Sequence, residues 1–135
     1  MNTLQVCYRV ECINCTSGPY NCVCIQWSTK QGREWSTKQG RDLKTAHSTD
    51  FFLSTRPGMF VDFPREHRER MENYYSGFKS RQQLLDWFSK EELRMFTTQF
   101  KMAIYIADDW YEGYSKNQIF FVRPTVWRRV ELPVA

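Results

Sequence analysis

Residues 77–121 read GFKSRQQLLDWFSKEELRMFTTQFKMAIYIADDWYEGYSKNQIFF, and the fold class follows from them. Ser80 to Gln83 has the S-x-x-Q pattern of a capping box, in which two side chains close the free N–H groups of a helix start. Leu84, Leu85, Trp87 and Phe88 then give that helix one apolar face. Ser89 to Glu92 is a second box, S-x-x-E, leading to Leu93 and Phe96. Two boxes in close succession predict two short helices with a bend between them. Phe100, Met102, Ile104 and Ile106 alternate with Lys101, Ala103, Tyr105 and Ala107, a period of two that predicts a strand with one buried face. Residues 108–117 read as a long loop rich in acid, Tyr and Gly, followed by a strand over 118–123. Residues 126–132 suit an edge strand, because Pro124 and Pro133 bound it and proline cannot donate to a central ladder.

Towards the N-terminus, Leu4, Val6, Tyr8 and Val10 alternate with Gln5, Cys7, Arg9 and Glu11, which predicts an amphipathic strand. Ser17-Gly18-Pro19 turns the chain, and residues 20–27 read as a second strand completing a hairpin, with Val23, Ile25 and Trp27 on one face. Residues 27–34 and 35–42 are near-identical octets, WSTKQGRE and WSTKQGRD. Units this short make no solenoid. Their polar composition suits an exposed loop, where added length costs little. Residues 45–63 read as a short strand, including Phe51-Phe52-Leu53, that leaves into the Arg56-Pro57-Gly58 turn. Asp62 and Pro64 look like a helix start, and PREHRERMEN (64–73) like a solvated helix or ordered loop with His67 facing solvent. The expectation is one α+β domain over residues 1–135, a mostly antiparallel sheet with two or three short helices on one face.

At 135 residues the chain suffices for one core, and ten Phe, seven Tyr and five Trp supply large side chains to fill it. The net charge is +4, concentrated in residues 27–44 and 123–135. That is milder than the stripe a nucleic-acid binder usually carries. Met1-Asn2-Thr3 opens no signal peptide, and nothing approaches the roughly 18 apolar residues of a membrane helix. A cytoplasmic protein with no membrane partner is expected.

Cys7, Cys12, Cys15, Cys22 and Cys24 all lie in the first fifth of the chain. An odd number without a secretion signal argues against a disulfide framework. Cys12, Cys15, Cys22 and Cys24 have a spacing that permits a tetrahedral thiolate zinc site. A C-x-C pair on a strand is unlike the tight turns of zinc knuckles, and free thiols behaving as small hydrophobes are the simpler reading.

Several pieces look familiar together: Tyr8-Arg9-Val10-Glu11, Gly18-Pro19-Tyr20, Arg56-Pro57 with Asp62, Gly77-Phe78-x-Ser80 with Gln83-Leu84 and Trp87-Phe88, and Gln118 with Phe120. In this order they resemble a group of small uncharacterised phage and prophage accessory proteins. The chain departs from that group in its cysteine-rich first hairpin and its duplicated octet. The resemblance implies a setting, in the host cell cytoplasm, where many products bind and block a host defence system. In size and in missing catalytic motifs the chain is similar to anti-CRISPR proteins.

The P-loop, H-E-x-x-H, G-x-S-x-G and dinucleotide glycine signatures are all absent from the sequence. One enzymatic reading remains. Tyr8-Arg9 and Phe52-Leu53-Ser54-Thr55 resemble elements of ADP-ribosyltransferases, which implies NAD as substrate and Arg9 and Ser54 as candidate catalytic residues; His47, before Ser48-Thr49 and the short strand, is placed for a working imidazole beside them. An arginine fork suits the grip on a dinucleotide. The family's paired Glu/Gln-x-Glu motif is missing, so Glu112 or Glu131 would have to stand in; otherwise Arg9 is a strand-surface residue paired with Glu11.

The binding reading rests on other residues. Asp108, Asp109, Trp110, Tyr111, Glu112 and Tyr114 form an acidic, aromatic stretch with the composition of interface anchors, suited to imitating phosphates. A contrasting basic patch of Arg123, Arg128, Arg129 and the Trp35 loop suits an acidic partner or RNA. The expected partner is a host protein or nucleoprotein complex, with nucleic acid met through that partner. No cofactor is expected on this reading; zinc and NAD belong to the alternatives.

Overall fold

A computed structural model describes residues 3–18, 59–96 and 99–133. The strand expected over 20–27, the duplicated octets at 27–42 and the segment 45–58 lie outside the described residues. Strand β1 (Gln5–Cys12) pairs antiparallel with β3 (Phe100–Ala107) along its whole length, Gln5 opposite Ala107 and Cys12 opposite Phe100. Strand β6 (Arg128–Val130) adds to the other side of β3, so the first sheet has the order β1-β3-β6. A second antiparallel sheet has the order β2-β5-β4, from β2 (Tyr75–Gly77), β4 (Trp110–Glu112) and β5 (Ile119–Phe121). A bridge between Tyr8 and Phe78 joins them, with N–H···O contacts of 2.8 and 2.7 Å.

Both serines cap their helices, but only the second box is reciprocal; in the first, Gln83 Oε1 accepts from the Lys79 N–H, one residue before the cap, at 2.8 Å. Ser80 Oγ accepts from the Gln83 N–H at 3.0 Å and starts helix α2 (Arg81–Trp87). Ser89 and Glu92 cap reciprocally, 2.8 and 3.1 Å, at the start of α3 (Lys90–Phe96). Each such cap is worth about 1 kcal/mol. Leu84, Trp87 and Phe88 around α2, and Leu93 and Phe96 on α3, pack with Val10, Cys12, Phe100, Met102 and Ile104 of the first sheet. Edge-to-face pairs Phe88–Phe96 and Phe96–Phe100, at 5.2 and 5.4 Å, add about 0.5–1.5 kcal/mol each beyond burial.

The opposite face of β3 is also buried, against expectation. Ala103, Tyr105 and Ala107, with Cys7, form a second core with Ile119 and Phe121 of the other sheet. The two sheets therefore share a core, and β3 is sandwiched between that core and the helices. Only Ile106 on this strand is exposed. The same burial inverts part of β1: Leu4 and Val6 are exposed, while Cys7 and Glu11 are buried. Gly77 makes the close approach of β2 to β1 possible, since a Cβ there would lie 2.9 Å from the Tyr8 carbonyl.

On the far side of the second sheet, Phe63, Tyr74 and Phe120 form a third cluster. One-turn helix α1 (Met59–Asp62) precedes it and a 3-10 helix (Arg65–Asn73) follows Pro64. Asp62 thus ends a helix rather than starting one, because Pro64 at φ −54 and ψ 126 breaks the turn before the next helix begins. The charged stretch is solvated as expected, with no buried residue. His67 departs from the expectation: its ring is half-buried, stacked on Tyr111 at 4.4 Å. Residues 108–117 are not a plain loop either, because Trp110–Glu112 pairs with Ile119–Phe121 as a hairpin. The class is α+β with antiparallel sheets and short helices, as expected.

Candidate functional site

The acidic, aromatic stretch is largely engaged with its own molecule. Tyr74 donates to Asp109 at 2.6 Å, and Arg70 Nη2 reaches the other oxygen of the same carboxylate at 3.2 Å. Burial, and then the hydrogen bond to Asp109, push the Tyr74 phenol well above its ordinary pKa. Trp110 donates its indole N–H to the Thr3 carbonyl, 2.8 Å, and Glu112 pairs with Lys79 at 2.7 Å. Tyr111 lies edge-on to Phe63 at 5.8 Å, and Tyr114 accepts from the Arg65 N–H at 2.8 Å. Asp108 is exposed. These residues are brought together, but chiefly as the seam between the second sheet and the 3-10 helix.

Beneath that seam lies Asp62, 2% exposed. One oxygen accepts from the Ser115 N–H at 2.6 Å, the other from Ser115 Oγ at 2.9 Å and Gln118 Nε2 at 3.0 Å. The backbone of Asp62 also accepts from Tyr114. Gly113 is required here, because a Cβ would overlap the Asp62 carboxylate.

The basic stretch behaves differently. Trp127 is 61% exposed, with the Arg128 guanidinium 5.5 Å from its ring centre. Arg128 and Arg129 stand exposed on β6, the outer strand of the first sheet. Arg123 stacks on Tyr75, 4.3 Å from the ring centroid, and Arg9 approaches the same ring at 5.1 Å.

All but Arg128 of these arginines converge on Glu11, which is 1% exposed. The register explains this: Arg9 and Arg129 both lie opposite Ala103, so they occupy one row across the sheet with a small residue between. Glu11 Oε2 accepts from Tyr105 at 2.5 Å, Arg9 Nε at 3.1 Å and Arg123 Nη1 at 3.4 Å. Oε1 has no hydrogen-bond partner among the described residues; Arg129 Nη2 is 3.9 Å away. Burial lowers the proton affinity of Arg9, an effect that Glu11 opposes and Arg123 reinforces by like-charge repulsion. Burial and the Glu11 hydrogen bond together raise the Tyr105 phenol.

Arg9 is therefore paired with Glu11 as expected, but as a buried hub rather than a surface contact. It also donates Nη1 to the Ser76 carbonyl at 2.9 Å. Tyr75 and Tyr105, and the burial of Glu11, escaped the sequence reading, since charges at every second position of β1 look like a solvent face. They come to light only in the packing, where Ala103, Tyr105 and Ala107 of β3 bury against the second sheet what β1 aligns with them. His47, Ser54, Trp35, Cys22 and Cys24 lie outside the described residues. Of the proposed zinc ligands, Cys12 is buried, its sulfur facing the Gln99 amide at 3.6 Å, and Cys15 is half-buried. No group of three His, Cys, Asp or Glu suited to a metal occurs among the described residues, nor does any helix long and apolar enough to cross a membrane.

No curated protein and no solved structure matches the chain. A family model described as the bacteriophage T4 Y00F protein matches residues 1–133, which takes in every described element, so the chain belongs to that phage family.

Proposed function

We propose that this phage protein acts by binding, docking a basic and aromatic face on a host protein or nucleoprotein complex and inhibiting it as a host-defence inhibitor of the anti-CRISPR kind would. The observation that carries the reading is the contrast in engagement between the two candidate stretches. Asp109, Trp110, Glu112 and Tyr114 are hydrogen-bonded or ion-paired within the molecule, Tyr114 with its ring still exposed. Trp127 and Arg128, at the start of the outer strand, instead stand exposed with only each other as side-chain partners among the described residues, beside the exposed Arg129. Exposed Trp and Arg are the side chains that dominate binding energy at interfaces. Membership of a phage family supplies the setting.

The rival reading, an NAD-consuming ADP-ribosyltransferase, asks Arg9 to grip a dinucleotide. Its Nε and Nη1 are already engaged by Glu11 and Ser76, and its side chain is 11% exposed, which weighs against that role.

The test compares tagged wild-type protein with the Trp127→Ala/Arg128→Glu double variant in host lysate. The binding reading expects a stoichiometric partner retained by the wild type and lost by the variant. Absence of a partner from both, or equal recovery by both, would refute it.

A further inference from the structure

Among the described residues, the Glu11 hub is unbalanced in charge. Three guanidiniums, those of Arg9, Arg123 and Arg129, lie within 3.1, 3.4 and 3.9 Å of a single carboxylate. The surplus is therefore two positive charges against one buried counter-ion. Glu131, next to β6, is paired with Lys101 at 3.1 Å. Like charges gathered in a partly desolvated place cost free energy unless an anion compensates them.

The donors are also incompletely used. Arg123 makes two long contacts, 3.4 Å to Glu11 and 3.4 Å to the Thr16 carbonyl, both through Nη1. Its Nε and Nη2 donate to no group among the described residues. The contact with the Tyr75 ring, 4.3 Å from the Arg123 Cζ to the ring centroid, holds this guanidinium in place while Nε and Nη2 keep the donors that a fork needs to bind an oxyanion. Arg129 is too far from Oε1 for a hydrogen bond, so its donors remain open too. Both side chains reach solvent, at 27% and 42% exposure, while Arg9 stays behind them. The carboxylate does not block an incoming anion at Oε2, which is covered by Tyr105, Arg9 and Arg123.

We propose that Arg123 and Arg129, backed by Arg9 and held in place by Glu11 and Tyr75, form an oxyanion site that takes a phosphate group. Glu11 is the internal counter-ion that keeps the guanidiniums together, and Arg9 adds positive potential without touching the ligand. The use of the site in partner recognition rests on the binding reading above; the ion site itself does not.

The experiment titrates inorganic phosphate into the full-length protein at constant ionic strength, with chloride as the balancing anion, following the Nε–H resonance of Arg123 by NMR. Saturable shifts are expected with phosphate and none with chloride. Arg129→Gln, at an exposed position, should weaken phosphate at least about tenfold, and so should Arg123→Lys, which keeps charge but loses the fork. Arg128→Gln, outside the hub, should change it less than about twofold. Equal response to phosphate and chloride, or equal loss in all three variants, overturns the proposal. A nucleoside monophosphate and a mixed-sequence single-stranded oligonucleotide, the latter also with an uncharged backbone, distinguish the source of the phosphate. Competition by the charged oligonucleotide alone assigns a strand backbone, and competition by the monophosphate alone assigns a free nucleotide. Should phosphate fail while Trp127-dependent partner capture persists, only the ion site is lost.

Discussion

Asp62 and Glu11 are both carboxylates almost wholly withdrawn from solvent, yet their surroundings differ in kind. Asp62 is held by neutral donors, a backbone N–H, a hydroxyl and an amide, that use both its oxygens. Glu11 is ringed by three arginines and one tyrosine: Tyr105, Arg9 and Arg123 crowd Oε2, while Oε1, 3.9 Å from Arg129, is left without a hydrogen bond among the described residues. The first arrangement is closed: it fixes the turn at residues 113–118 to α1 and asks for nothing further. The second is open, because its charges do not cancel and its outer guanidiniums face water. A buried charge that is fully satisfied serves structure; the over-supply at Glu11 leaves something still to be explained, and the proposed phosphate site explains it.

The largest effect expected from breaking this contrast is at Glu11. Glu11→Ala leaves three arginines unopposed and should cost about 3–5 kcal/mol in denaturant unfolding, with much of the loss recovered at high salt. Asp62→Asn should cost about 1.5–3 kcal/mol, because a charge-assisted network becomes a neutral one, and should be insensitive to salt. Equal salt dependence of the two variants would erase the distinction between them. Next in size is Gly113→Ala, expected to cost about 1–3 kcal/mol through overlap with the Asp62 carboxylate. Combined with Asp62→Gly the added penalty should vanish, a non-additivity that a double-mutant cycle reads directly. Full additivity would show that Gly113 matters for some other reason.

The smallest expected effect is alkaline. Tyr105 has its pKa raised above the ordinary value of about 10, first by burial and then by its hydrogen bond to Glu11. Between the unfolded and folded values the native state holds more protons, so stability is fully present below about pH 10 and declines as pH rises through the folded value. Tyr105→Phe should flatten that alkaline decline in stability measured from pH 9 upward. An unchanged slope would remove Tyr105 from the hub, leaving Tyr74 beside Asp109 as its source.

How much of this was legible from residues alone depended on period and caps. The serine boxes at Ser80 and Ser89 and the alternation from Phe100 to Ala107 carry local instructions, and their elements form within those bounds. The second burial of β3 was hidden, because Ala103, Tyr105 and Ala107 are small or amphipathic and do not announce a packed face. Trp110–Glu112 was hidden as well, since a three-residue strand between acidic residues and Gly113 carries too little pattern to separate it from a turn. For the candidate site, Arg123, Arg128 and Arg129 were visible as a basic cluster. Their meeting with Arg9 at Glu11 was not, because it depends on Ala103 aligning two strands distant in sequence. The acidic stretch looked equally promising on composition, and only its hydrogen bonds to Thr3, Arg65, Lys79 and Tyr74 reveal how much of it serves the fold.

One measurement bears most directly on the difference between the closed and the open carboxylate: the melting temperature of the wild type, Glu11→Gln and Asp62→Asn in phosphate and in chloride at equal ionic strength. With an under-compensated arginine hub, phosphate raises the melting temperature of the wild type, raises that of Glu11→Gln further, and raises that of Asp62→Asn by the wild-type amount. No phosphate-specific rise in the wild type, or the same rise after Glu11 is neutralised, would contradict it.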